Sequence, residues 1–213
     1  MDVYRTEEEQ VEALKKWWDD NGKSIIFGII VGLGAVFGWR SWQDHKIAQA
    51  EAASELYQTI LTSLRAEKPA DAEAPAMEII NNYSGTGYAV FARLTLAKLA
   101  VEDDNYEQAA EHLEQALQMN DTRALDLAIR LRLARVHLAR QQYDDALALL
   151  QVRERREYAS AFDELKGDIL AQKGDRQAAL EAYRQALTAA QSRSADTSVL
   201  EMKMNDMGAG SPG

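Results

Sequence analysis

The sequence predicts an all-α protein in which one transmembrane helix near the N-terminus is followed by a solenoid of helical hairpins. Three observations carry that prediction. An uncharged apolar run is framed by tryptophans, only three prolines interrupt 213 residues, and beyond residue 87 small and large side chains recur at fixed offsets. Ala, Leu, Gln, Glu, Arg and Asp dominate the second half, the mix of helices with exposed polar faces, which leaves strands little to build from.

The apolar run reads SIIFGIIVGLGAVFGW, sixteen uncharged residues from Ser24 to Trp39 between Lys23 and Arg40. A bilayer-spanning helix wants about 20 apolar residues, and flanking Lys and Arg lengthen the usable span by snorkelling. Trp17 and Trp18 precede the run while Trp39 and Trp42 follow it, so all four tryptophans fall where interfacial rings belong. A buried core helix is the alternative, and four glycines within the run argue against it. A cleaved signal peptide is the other, but 23 residues precede the run, seven of them acidic, and Gly38-Trp39-Arg40 lacks a small-residue cleavage pattern. Residues 24–42 are therefore expected to form an uncleaved anchor.

Basic residues set the expected orientation. Arg5, Lys15, Lys16 and Lys23 lie before the span and only Arg40 and Lys46 shortly after it, which puts residues 1–23 in the cytoplasm and the large domain outside. Within that first segment, residues 7–20 carry Val11, Leu14, Trp17 and Trp18 at helical spacing, predicting a short amphipathic helix along the interface. Gly28 and Gly32, then Gly34 and Gly38, give two four-residue glycine spacings on different helix faces. Such spacing lets a neighbouring helix backbone approach closely, although glycine is also simply commoner in membrane helices.

Residues 43–200 are expected to form the soluble domain and 201–213 a tail. A first helix over 43–66 stops at Lys68-Pro69, because proline lacks a donor and crowds the turn before it. A second follows over 72–82, and Ser84-Gly85-Thr86-Gly87 supplies the next turn. Then the pattern repeats. Ala97, Ala134 and Gly167 are each followed twelve residues on by Ala109, Ala146 and Ala179, and sixteen on by Leu113, Leu150 and Tyr183. Successive anchors are 37 and 33 residues apart, close to the 34-residue tetratricopeptide period. Each unit divides at a turn, at Asp103-Asp104-Asn105, at Gln141-Gln142 and at Gly174-Asp175. Gly167, Ala179, Tyr183 and Ala186 resemble the tetratricopeptide small-small-aromatic-small pattern best, so the domain is expected to be a tetratricopeptide-like stack, with an irregular helical bundle as the alternative. Residues 43–83 then make a degenerate first hairpin, and the chain from Thr197 a cap ending in a disordered Gly-Ala-Gly-Ser-Pro-Gly.

Composition excludes several functions. A net charge of −10, of which −8 lies beyond residue 42, disfavours a nucleic-acid partner, whose phosphates need a basic face. No cysteine is present, so disulfides, thiolate metal sites and cysteine nucleophiles are absent. His45, His112 and His137 are scattered without a second ligand at i+4, and no phosphate-loop, nucleophile-elbow or zinc-protease motif occurs. Asp103-Asp104 and Asp144-Asp145 sit at helix starts, where carboxylates favour the positive dipole end. Arg153, Arg155 and Arg156 form a small basic cluster, either a solvated face or a dock for an acidic partner. No catalytic residue, cofactor, metal or small-molecule substrate is expected.

Stacked hairpins present a concave side lined by the first helix of each pair, the usual binding surface of such arrays. Helical periodicity places Phe91, Leu94, Lys98, Leu131, Arg135, Leu138, Glu164 and Asp168 there. Apolar groups would hold a polypeptide and charges would set its register. The alternative is that Leu94, Leu131 and Leu138 belong to the core.

Gln10-Val11-Glu12-Ala13-Leu14-Lys15-Lys16-Trp17-Trp18, Asn21-Gly22-Lys23, a glycine-rich span closing on Gly38-Trp39-Arg40, and Tyr88 with Ala92-Arg93-Leu94 together resemble the YfgM family of ancillary subunits of the bacterial SecYEG translocon. The likeness runs nearly the full length; the Trp pair at 17 and 18 and the Gly/Ser/Pro tail depart from it. It implies a single-pass inner-membrane protein with a periplasmic repeat domain. It also implies partners in SecYEG and the membrane-anchored chaperone PpiD, and the passing of unfolded polypeptides to periplasmic chaperones. A self-associating structural or regulatory envelope protein is the alternative function.

Overall fold

The computed structural model describes residues 7–208. Arg5 of the flank comparison and residues 209–213 of the expected disordered tail lie outside them. Among the described residues the secondary structure is wholly helical: α1 (Glu7–Arg65), α2 (Glu73–Asn82), α3 (Gly87–Glu102), α4 (Tyr106–Met119), α5 (Arg123–Ala139), α6 (Tyr143–Leu149), α7 (Ala159–Lys173), α8 (Arg176–Gln191) and α9 (Ser198–Asp206). Short 3-10 turns occupy Pro69–Ala72 and Arg156–Tyr158.

The chain divides into two units, residues 1–51 and 52–213. In the first, the expected separate helix over 7–20 is not a separate element. No proline or capping turn separates it from the apolar run, so its residues are the opening turns of α1. The Trp18 ring lies where a side chain on Gly22 would project, 3.1 Å from an added Cβ, and the Asn21 amide donates to the Trp17 carbonyl at 2.9 Å. Trp39 and Trp42 pack with ring centroids 5.1 Å apart, and the Lys46 ammonium stands 4.3 Å above the Trp42 ring. A cation over an indole face is a favourable pairing at a headgroup layer. Along the run the apolar side chains face outward, Phe27 69 % and Phe37 66 % exposed. Helix α1 is long and apolar enough to cross a membrane.

The second unit buries its apolar side chains in clusters that alternate down the stack. Ile60, Ala76, Ile79, Ala89 and Leu96 join the end of α1 to α2 and α3. Ala97, Ala109, Leu113, Ile129 and Leu133 join α3, α4 and α5. Leu127, Leu131, Phe162, Leu165 and Ile169 join α5, α6 and α7, and Ala179, Tyr183, Ala186 and Leu200 join α8 to α9. A solenoid must do this, since no hairpin covers its own apolar face.

The repeat is visible in the backbone. Seven residues after each anchor, Asp104, Gln141 and Gly174 adopt φ of 56°, 59° and 91°. In each, the next amide bonds back five residues, Asn105 to Ala100, Gln142 to His137 and Asp175 to Leu170, at 2.8–2.9 Å. This left-handed closure satisfies the last carbonyls of one helix and redirects the chain into the next. Asn105 and Asp175 then cap α4 and α8 by accepting from the Gln108 and Ala178 amides. The Gln142 side chain instead contacts the His137 ring at 2.8 Å. Gly167 is the tightest anchor: a Cβ there would stand 2.4 Å from the Tyr183 ring, so only glycine lets α7 and α8 approach this closely.

Candidate protein-binding groove

Repeat register assigns equivalent positions to the inner helices. Three residues before each anchor stand Leu94, Leu131 and Glu164; one residue after stand Lys98, Arg135 and Asp168. The structure brings some of these together and separates others.

A groove of about 680 Å³ opens between the end of α1, α3 and α5. Its apolar wall is Tyr57, Leu64, Phe91, Leu94 and Val101, and its charged wall is Lys98, Arg132 and Arg135 with Glu102 at one edge. The Tyr57 and Phe91 rings pack at 5.8 Å, which fixes the aromatic end. Phe91 remains 40 % and Val101 38 % exposed, while Leu94 is half-buried. Lys98 meets Glu102 at 3.4 Å in an exposed i,i+4 pair, which contributes little. One turn from the groove Arg130 is paired with Asp126 at 2.9 Å, whereas neither Arg132 nor Arg135 has a carboxylate within ion-pair reach among the described residues.

Four of the eight expected residues, Phe91, Leu94, Lys98 and Arg135, line this groove. Leu131 does not: it is 4 % exposed and packs among Leu127, Ala134 and Phe162. Leu138 also packs on that cluster, because α5 is covered by α6 and α7 on the face that carries both leucines. The core alternative holds for these two.

Glu164 and Asp168 are half-buried beneath α9. The Lys203 ammonium donates to Glu164 Oε1 at 2.7 Å and to both Asp168 oxygens at 2.7 and 2.9 Å. The Tyr183 hydroxyl donates to Asp168 at 2.8 Å. Burial would lower the Lys203 ammonium, but its hydrogen bonds to Asp168 and Glu164 carry it above the usual lysine value. Burial first, then the bond to Asp168 and the two carboxylate charges, raises the Tyr183 phenol well above its ordinary value. Below α9 the inner face is thus filled by side chains of this chain itself.

Tyr57, Leu64, Val101, Arg132 and Lys203 were not identified from the sequence. Val101 was within reach, since it holds the same register as Leu138. Lys203 stands between Leu200 and Met204 on a short segment beyond the last full repeat, where the offsets no longer apply.

The basic cluster near residue 155 separates in a similar way. Arg155 reaches Asp163, whose side chain is 5 % exposed, and so ties the loop before α7 to that helix. His112 lies half-buried with its Nδ1 unpaired and its proton affinity lowered by burial and then by Arg93. No cluster of three metal-ligating side chains occurs among the described residues.

Residues 15–209 match the model of the tetratricopeptide repeat-like domain family. The ancillary SecYEG translocon subunit of Escherichia coli K12 is 35 % identical over 207 residues, covering 97 % of this chain and 99 % of that protein. The protein of the same name from Haemophilus influenzae is 35 % identical over 206 residues, 96 % of this chain and 100 % of the relative. That from Aggregatibacter actinomycetemcomitans is 38 % identical over 185 residues, 86 % and 90 %. Among solved structures, MamA residues 41 to the end from Desulfovibrio magneticus RS-1 superposes with a TM-score of 0.58 at 15 % identity, covering 75 % of this chain and 94 % of that one, a likeness of fold.

Proposed function

The chain belongs to the tetratricopeptide repeat-like family that includes the ancillary SecYEG translocon subunits, and on that premise we propose that it is a non-catalytic, membrane-anchored adaptor of the SecYEG translocon that binds polypeptide in the groove between α1, α3 and α5. The observation that carries this is the pairing of an exposed apolar helix with an open, mixed-charge trough in the water-facing domain. Exposed residues such as Phe27, Ile30 and Phe37 demand lipid, because this much apolar surface is not kept in water by a folded protein.

The basic residues flanking α1 favour a cytoplasmic N-terminus, and with it a repeat domain on the periplasmic side of the inner membrane. There the domain receives segments leaving the channel. PpiD is the expected membrane-anchored chaperone partner, and unfolded polypeptides pass from the groove to other periplasmic chaperones. An added Cβ at Gly28, Gly32, Gly34 or Gly38 meets nothing within 4 Å, so these faces are free to pack against a membrane helix of the complex.

Purification in mild detergent tests the assignment. SecYEG and PpiD are expected to remain with the tagged full-length chain; recovery of the chain without any Sec component or periplasmic chaperone overturns the adaptor role. Equilibrium sedimentation separates it from the self-associating alternative, which requires a stable homo-oligomer in the absence of other proteins.

A further inference from the structure

We infer that the groove between α1, α3 and α5 takes a short amphipathic helix bearing carboxylates, a charge-reversed counterpart of the chain's own α9. This rests on the groove reading above and specifies its ligand class.

The molecule itself shows how charged positions of an inner helix are matched by a neighbouring helix. On the third unit, α9 brings Leu200, Met204 and Met207 against α8 and its surroundings while Lys203 meets Asp168 and Glu164. Asp168 holds the register of Lys98 and Arg135, and Glu164 that of Leu94 and Leu131. Where these positions are acidic, a helix packed mainly on α8 reaches them with a cation. In the open groove the same register is cationic, and Arg132 adds a further positive charge. Charge complementarity therefore asks for a carboxylate where α9 offers Lys203.

Size agrees. Phe91, Leu94, Lys98 and Val101 are spaced i, i+3, i+7 and i+10, so the α3 wall extends about 15 Å at 1.5 Å per residue. A helix of about ten residues spans that wall, and α9 has nine. A helix of 10 Å diameter sunk to half its depth over that length displaces about 600 Å³, against the groove's 680 Å³. The chain as a whole is acidic, with a net charge of −10, so a locally cationic groove favours a carboxylate-bearing segment against the background of the molecule.

The test uses full-length protein in detergent micelles and two stapled, fluorescent peptides of residues 197–207, one native and one with Lys203→Glu, each carrying a photo-reactive group for mapping. The Lys203→Glu peptide is expected to bind about tenfold tighter than the native peptide at low salt, with cross-links to α3 and α5. The difference shrinks as salt rises. In the Lys98→Glu/Arg135→Glu chain the preference reverses, and in Lys98→Gln/Arg135→Gln it disappears. Both sites are exposed, and circular dichroism confirms folding. Equal binding of both peptides inside the groove overturns the charge assignment and leaves the groove reading intact. Absence of groove cross-links from either peptide overturns the groove reading, and the present inference with it.

Discussion

The inner faces of α3 and α5 and that of α7 are built from the same register positions and end in opposite states. Around α3 and α5 the face is open, with Phe91 and Val101 exposed and two guanidinium groups unpaired among the described residues. On α7 it is closed, because α9 inserts Leu200 and hands one ammonium to two carboxylates. The two differ in charge at the position after the anchor, an aspartate on α7 against cations on α3 and α5. Asp168 is supplied with a cation by the chain, whereas Arg135 has no carboxylate partner among the described residues and Lys98 has only the exposed Glu102 one turn away.

Breaking the closed side should cost stability, and altering the open side should cost binding alone. Leu200→Ala removes the buried contact of α9 and is expected to weaken its docking by about 2–3 kcal/mol. Hydrogen exchange over 198–206 then accelerates while α4 stays protected; equal acceleration in α4 means that α9 is no local cap. Gly167→Ala drives a methyl group into the Tyr183 ring and displaces the bond to Asp168, an expected loss of about 1–3 kcal/mol in thermal unfolding. Replacing Ala134, the equivalent anchor on α5, by glycine drives nothing into a neighbour and costs about 1–2 kcal/mol through helix propensity and one buried methyl group.

Lys203→Met leaves two half-buried carboxylates without a cation and is expected to cost about 1 kcal/mol, the partial exposure of all three groups limiting the effect. The pH dependence has a definite sign. Lys203 is raised in the folded state, so its contribution is complete below about pH 10 and is lost as pH rises through the folded value. Tyr183, also raised, acts in the same direction. Melting curves from pH 6 to 11 should therefore be flat in this contribution near neutrality and fall at the alkaline end, more steeply in the parent than in Lys203→Met. Smallest is Gln141→Gly, which relieves a side chain held at φ 59° and should stabilise the open unit by about 0.5–1 kcal/mol.

Much of this architecture was legible because helical hairpins announce themselves through small residues at fixed offsets. Ala97, Ala134 and Gly167 located the hairpins α3–α4, α5–α6 and α7–α8, and the three turns fell where polar residues interrupt the apolar period. The groove was half legible. Phe91, Leu94, Lys98 and Arg135 follow from one helix face, but whether a face is covered depends on what the next element does, and no periodicity within α5 reveals that α6 and α7 bury Leu131 and Leu138. In the loop between the seven-residue α6 and α7, Arg155 tethers Asp163 rather than standing in a free basic cluster, a pairing no spacing announces. At the other end, the apolar run and its tryptophans marked α1, but nothing in the spacing required residues 7–20 to be a separate element, and they are not.

The central claim is that the open face, and not the closed one, receives polypeptide beside the translocon. Site-specific photo-cross-linking in living cells addresses it directly, with the reactive side chain placed at Phe91 or Arg135 in the groove, at Asp168 under α9, and at Glu114 on α4. Adducts to a translocon component, PpiD or an exported chain from Phe91 and Arg135, with only intramolecular adducts from Asp168 and none from Glu114, are the predicted result. Equal yields from Glu114 and the groove positions, or partner adducts from Asp168 alone, would contradict it.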